Sequence, residues 1–252
     1  MASEPTRRSA GEVPVVSICI VSYEARDYLA RCIDSIRRHA SLPHEVVIVD
    51  NASGPATREL LESLDQATVV LNNENRLWCP AMNQALRAAD SRSPYLLMLN
   101  PDIEVLRHDW LERMVTAMAR PGVGLVGTAH NFRPLTPTFG ALDGSCLLLR
   151  RELLDDPEVG YLDESLPWNG SPFVLTARAW RRGWGYRCMP PRPALIVHHG
   201  GRSREESPTP VLNRPIDHRA LLEREGLDPT RPPRPVSAAM RRLIAMGWPR
   251  VP

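Results

Sequence analysis

An apolar run, Pro94 to Leu99, ends in Asn100-Pro101-Asp102, with Glu104 two residues further on. A run of this length and composition predicts a strand buried on both faces. A carboxylate just past the carboxyl end of such a strand can bind a hard divalent cation, which in turn grips a diphosphate. Taken singly, an aspartate in this position is a solvated turn residue. Others of its kind follow other predicted strands: Asp50 and Asn51 after Glu45–Val49, and Asn75 after Ala67–Leu71. Asn and Asp also make turns and cap helices on their own account. Gathered along one sheet rim, they offer hydrogen bonds to a uracil-type base and a ribose, and ligands for a metal.

The elements that must carry these residues alternate. Val15–Tyr23 is β-branched and apolar and predicts a first strand. Asp27–His39 then places Tyr28, Leu29, Cys32, Ile33 and Ile36 on one helical face. After the Glu45–Val49 strand, Thr57–Leu64 predicts a short helix and Ala67–Leu71 a third strand. Asn72–Pro80 reads as a polar loop, Ala81–Ala89 as a helix and residues 94–99 as the next strand. Strand and helix in this order imply a mostly parallel sheet built from right-handed crossovers. In the second half, Asp109–Arg120 predicts a helix, Val123–Gly127 and Leu142–Leu149 strands, Phe173–Arg182 a helix and Ala194–His199 a final strand. Beyond Gly200 the chain is rich in Pro and Arg, with helical patterns at His218–Glu225 and Ser237–Met246, and reads as a wrapping tail. That last helix gathers Ala239, Met240, Leu243 and Ile244, and packing on protein is the expectation for it, over the acceptor side or at a homodimer contact.

Composition excludes several chemistries. The chain has 252 residues, a net charge of +2 and no lysine, all 31 basic residues being arginine. A P-loop, a protein kinase and a pyridoxal enzyme each need a lysine, so their usual forms are excluded. The first strand is followed by no G-x-G-x-x-G, which argues against a dinucleotide-dependent oxidoreductase. The near-neutral charge draws the chain to no nucleic acid. Its apolar stretches are too short to span a bilayer, leaving at most peripheral membrane contact. The five cysteines are scattered without metal-ligand spacing. With a polar, disordered lead-in over residues 1–13, they suggest a cytoplasmic location.

The stretches VSICIVSYEARDYLARCIDSI, EVVIVDNASG, NENRLWCPAMN, YLLMLNPDIEVL, DGSCLLLRREL and HHGGRS, in this order over roughly residues 14–203, resemble family 2 of the glycosyltransferases. The Asn-Pro-Asp variant is similar to the subgroup that includes rhamnosyltransferases and other deoxysugar transferases. The resemblance implies a GT-A α/β domain with a mixed, mostly parallel sheet. Residues 14–104 would be the nucleotide-sugar half, 105–203 the acceptor half and 204–252 the tail. It implies transfer of a sugar from a UDP- or dTDP-type donor to a small-molecule, glycan or peptide acceptor, with Mg²⁺ or Mn²⁺. Ser22, Tyr23 and Glu24 would stand at the base, and Asp50 and Asn51 would hold base or ribose. Asn75 and Asn83 would line ribose and sugar. Asn100 and Asp102 match the family's D-x-D position, with Asp102 on the metal. His198 or His199 would complete metal or diphosphate binding, and Arg202 would contact the diphosphate. Gly144, Ser145 and Trp168 would face the acceptor.

The resemblance breaks at the catalytic base. The family's Glu-Asp pair falls on Ser171 and Pro172, neither of which accepts a proton near neutral pH. Three expectations follow: an acceptor that ionises easily or is an amine, a base relocated to Asp143 or Glu164, or a protein that binds a sugar nucleotide without turning it over.

Overall fold

The computed structural model describes residues 13–128, 132–134, 140–200 and 217–226. In chain order the elements are β1 (Val16–Ser22), α1 (Arg26–His39), β2 (His44–Asp50), α2 (Pro55–Glu62), β3 (Ala67–Leu71), α3 (Trp78–Ala88), β4 (Tyr95–Leu99) and β5 (Ile103–Val105). They continue with α4 (Trp110–Met118), β6 (Val123–Thr128), β7 (Phe132–Pro134), β8 (Gly140–Leu142), β9 (Cys146–Arg150), α5 (Arg151–Asp155), α6 (Ser171–Arg181), β10 (Gly185–Met189), β11 (Ile196–His198) and α7 (His218–Arg224).

Seven strands form one mixed sheet in the order β10-β6-β9-β4-β1-β2-β3. β1 runs parallel to β2 and β4, and β3 is parallel to β2. β9 lies antiparallel between β4 and β6. Residues alternate across β1: Cys19 and Val21 join one core with α3 and α6, while Val16, Ile18 and Ile20 join the other with α1 and α4. Burial on both faces is why these strands read as continuous apolar runs rather than alternating ones.

The antiparallel β9 decides the site. The carboxyl ends of β1 to β4 share one rim, and β9 brings its amino end to the same rim. Leu99 pairs with Cys146, and the Asn100 amide donates to the Ser145 carbonyl at 2.8 Å. Ser145, at the end of the Asp143-Gly144-Ser145 turn, therefore stands beside Asn100.

Several expectations need correction. Leu142–Leu149 is two strands, because Asp143-Gly144-Ser145 turns the chain between β8 and β9. The final strand is not in the main sheet; β11 pairs antiparallel with β5 in a separate ribbon. β5, β10 and α5 are too short to carry a periodicity signal. The polar loop ends early, since α3 begins at Trp78. The His218–Glu225 pattern is α7, whereas Ser237–Met246 lies outside the described residues.

Candidate functional site

The β5–β11 ribbon gathers two carboxylate–imidazole pairs at the rim. Ile103 pairs with His198 and Glu104 with Val197, and the His199 amide donates to the Asp102 carbonyl at 3.0 Å. His198 Nε2 stands 3.3 Å from Asp102 Oδ1, and both atoms are shielded from solvent. His199 Nε2 stands 3.3 Å from Glu104 Oε2. Adjacent ligands of an octahedral ion with bonds near 2.1 Å lie ~3 Å apart, so Asp102 and His198 fit two neighbouring positions on one cation. An oxygen–imidazole set suits Mn²⁺ better than Mg²⁺. Among the described residues no three His, Cys, Asp or Glu side chains are grouped to hold a metal. A cation here would take its remaining ligands from water and substrate.

The loops after β1, β2 and β3 are cross-braced. Asp50 is fully buried; its Oδ2 accepts from the Ser53 amide at 2.9 Å and its Oδ1 from Ser53 Oγ at 2.5 Å. Ser53 Oγ in turn accepts from the Glu24 amide at 2.9 Å. Glu24 Oε1 accepts from the Gly54 amide at 2.9 Å, at the start of α2. Asn51, also buried, donates to the Leu77 carbonyl at 3.2 Å, and its Oδ1 accepts from Asn72 at 3.0 Å. Asn75 Oδ1 accepts from the Leu77 amide at 2.9 Å. Glu24, Ala52 and Leu77, one in each of these loops, have φ of 60°, 64° and 69°. They are the non-glycine residues with positive φ among those described. Ser22 Oγ, at the end of β1, is buried without a hydrogen-bond partner. Tyr23 follows it half-buried, as Asn100 does after β4.

The residues assigned to the second half fall into separate groups. Asp143 Oδ1 accepts from the Ser145 amide at 3.0 Å and from Ser145 Oγ at 2.7 Å. Gly144 has no room for a side chain: a Cβ there would lie 2.4 Å from Trp78 Cη2 and 3.0 Å from Pro172 Cγ. Ser171 is fully buried, and its Oγ accepts from the Asp163 amide at 2.5 Å. Ser171 and Pro172 are thus both buried at the start of α6. Asn83 is turned away from the rim loops. It exchanges hydrogen bonds with the Leu162 backbone at 2.9 and 3.1 Å and donates to Glu164 Oε1 at 2.8 Å. Glu164 is exposed, with Arg87 3.8 Å away. Trp168 is half-buried, and Arg202 lies outside the described residues. Cys79 is no substitute base, because burial pushes its thiol up to about 12.

Ser53 and Trp78 join the site without having been singled out from the sequence, and Pro172 had been singled out only as a position without a base. Ser53 carried a signal, standing three residues after a strand-end aspartate as in an Asx turn. Trp78 carried none, because its meeting with Gly144 and Pro172 joins three distant segments.

The family described as Glycosyl transferase family 2 matches residues 17–156. Among curated proteins, the O-antigen biosynthesis protein RfbC of Myxococcus xanthus is 28% identical over 236 residues, covering 78% of this chain and 18% of that protein. The uncharacterized protein y4gI of Sinorhizobium fredii is 28% identical over 255 residues, covering 84% of this chain and 27% of its own length. The chain thus spans less than a third of either relative. The putative teichuronic acid biosynthesis glycosyltransferase TuaG of Bacillus subtilis is 34% identical over 109 residues, 42% of each chain. Among solved structures, the mannosyltransferase PcManGT of Pyrobaculum calidifontis, in complex with GDP-Man and Mn²⁺, superposes with a TM-score of 0.59 at 24% identity. That likeness covers 72% of this chain and 56% of the other. GalNAc-T7 with UDP, GalNAc and Mn²⁺ gives 0.55 at 16% identity, over 70% and 42%. These likenesses establish the GT-A fold.

Proposed function

The chain belongs to glycosyl transferase family 2, and we propose that it transfers a sugar, with inversion, from a UDP- or dTDP-type donor to an acceptor hydroxyl. The observation that carries the reading is the meeting of Asp102 and His198 across the β5–β11 ribbon, on the rim where the parallel strands end. Ligands of open α/β sheets bind on that rim. The relatives named for O-antigen and teichuronic acid biosynthesis support a cell-surface glycan as the acceptor.

The nucleotide lies against the loops after β1, β2 and β3. Asn51 and Asn75 hold the β3–α3 loop in place, and Ser22 Oγ offers an unmet hydrogen-bonding group. Asp50 is a positioning residue, shaping the Ser53–Gly54 backbone, because its carboxylate has no open surface. Asp102 and His198 would hold a divalent cation, which when bound would supply positive charge for the diphosphate. The acceptor enters from the side of Gly144, Ser145 and Trp168. Its oxygen bonds to the sugar's anomeric carbon as the bond from that carbon to the diphosphate breaks. The bonding pair leaves with the diphosphate, and Asp143 takes the acceptor's proton. Asp143 is better placed than Glu164, since it holds Ser145, whose carbonyl accepts from the Asn100 amide at the rim, whereas Glu164 is bound to Asn83.

A second reading, a nucleotide-sugar-binding protein without turnover, draws on the buried Ser171 and the packed Pro172. One experiment separates them. Calorimetric titration of UDP-, dTDP- and GDP-sugars with and without Mn²⁺ is run on the wild type and Asp102→Asn, alongside a donor-consumption assay with glycan acceptors. Transfer requires Mn²⁺-dependent binding in the wild type, its loss in Asp102→Asn, and consumption of donor. Mn²⁺-dependent binding that survives Asp102→Asn refutes the metal assignment. Binding without consumption, in every acceptor class, leaves the second reading.

A further inference from the structure

Leu77 occupies a backbone region that belongs almost wholly to glycine, with φ 69° and ψ 173°. A β-carbon in that region is strained, and such strain persists only where the surroundings over-determine it. They do so here from two sides. The Leu77 amide donates to Asn75 Oδ1 at 2.9 Å, and its carbonyl accepts from Asn51 Nδ2 at 3.2 Å. Asn51 is itself fixed by Asn72, which exchanges hydrogen bonds with Gln84 at 2.9 and 3.0 Å. Two elements, β2 and α3, thus force one leucine into a glycine conformation.

Core packing does not explain why a leucine stands there. The side chain is half-buried and belongs to neither core cluster. Its neighbours in conformation are different in kind. Ala52 carries only a methyl group, and the Glu24 carboxylate is engaged by the Gly54 amide. Leu77 is therefore the one of the three that offers a sizeable apolar group from a strained rim position. The next residue, Trp78, packs on Gly144 of the acceptor wall, so Leu77 stands at the boundary between the nucleotide loops and that wall.

We infer that Leu77 is a specificity-determining residue, its isobutyl group bearing on the glycosyl part of a bound nucleotide sugar and restricting which sugars fit. The inference rests on the donor-site reading above. Ala and Gly at this position separate its two components. Leu77→Ala removes the isobutyl group but keeps a strained β-carbon; Leu77→Gly removes both.

The test measures thermal midpoints of the wild type and both variants, and their affinities for UDP-sugars that differ in bulk at C2 or C6. Leu77→Gly is expected to melt a few degrees above Leu77→Ala, the reverse of the usual order in which glycine is the less stable. In both variants the ratio of affinities for the smaller and bulkier sugars should fall by about 10-fold or more, as when one apolar group is removed from a discriminating contact. An unchanged ratio overturns the inference, whatever the midpoints do. Leu77→Gly melting at or below Leu77→Ala overturns the strain on which it was built. A wild type that binds no nucleotide sugar refutes the donor-site reading and this inference with it, while the midpoint difference still reports the strain by itself.

Discussion

Replacing Gly144 by alanine tests the rim at its tightest contact. The added Cβ would meet Trp78 Cη2 at 2.4 Å, Pro172 Cγ at 3.0 Å and Trp78 Cζ2 at 3.1 Å. Ordinary contact begins near 3.4 Å, so something must move by roughly 1 Å. The backbone cannot readily yield. Ser145 is tied to Asn100 on one side and to Asp143 on the other. Pro172 is locked into the first turn of α6. The indole is left to give way, against the core it packs on. Overpacking of this kind costs about 1–3 kcal/mol. In a chain of this size that lowers the thermal midpoint by roughly 2–12 °C. Melting followed by circular dichroism, in the wild type and in a Trp78→Ala background, provides the assay. With the ring gone, the cost of Gly144→Ala should drop below ~1 kcal/mol, giving a coupling energy close to the full single-mutant penalty. An equal penalty in both backgrounds refutes the reasoning, because Trp78 would then not be the group that resists the methyl.

Two pH effects follow from the same structure. Burial pushes the Asp163 carboxyl up, but hydrogen bonds from Ser165 and the charges of Arg224 and Arg178 outweigh it, and the group sits below its ordinary value. A lowered carboxylate stabilises the fold above its unfolded pKa near 4, and that share is lost as pH falls through the folded value. Urea unfolding should therefore show a steeper loss below about pH 4 in the wild type than in Asp163→Asn; parallel acid limbs would contradict the assignment. His44 and His39 give the same sign of pH dependence by a different route. Burial lowers both from 6.5, with the His108 charge adding to the effect at His39 and the Leu42 carbonyl opposing it at His44. The unfolded chain then binds more protons just below pH 6.5, so stability is full above that pH and declines beneath it. A His39→Asn/His44→Asn double variant should flatten the change in urea midpoint between pH 7 and 5, and an unaltered slope would show that other groups set it.

The sequence by itself was enough for the sheet's first half and for placing Asp102 just past the end of β4. β1 to β4 and the helices between them are long, strongly patterned segments, and their periodicity is a local property that reads without a partner. Tertiary structure decided the rest. Asp50, Asn51 and Asn83 have the residue types of a binding site, but their hydrogen bonds go to the chain itself, Asp50's to Ser53 in its own loop, Asn51's to Leu77 and Asn83's to Leu162. Their capacity to bind was visible in the sequence; what occupies that capacity depends on segments up to 79 residues away. Ser145 comes beside Asn100 only because β9 runs antiparallel, and His198 reaches Asp102 only because β11 pairs with the three-residue β5. Strand direction and register are settled by burial of both faces at once. A one-residue slip would turn His198 and His199 to opposite partners without altering any local pattern, and for that reason the chemistry of this rim belongs to the fold and not to any stretch of its sequence.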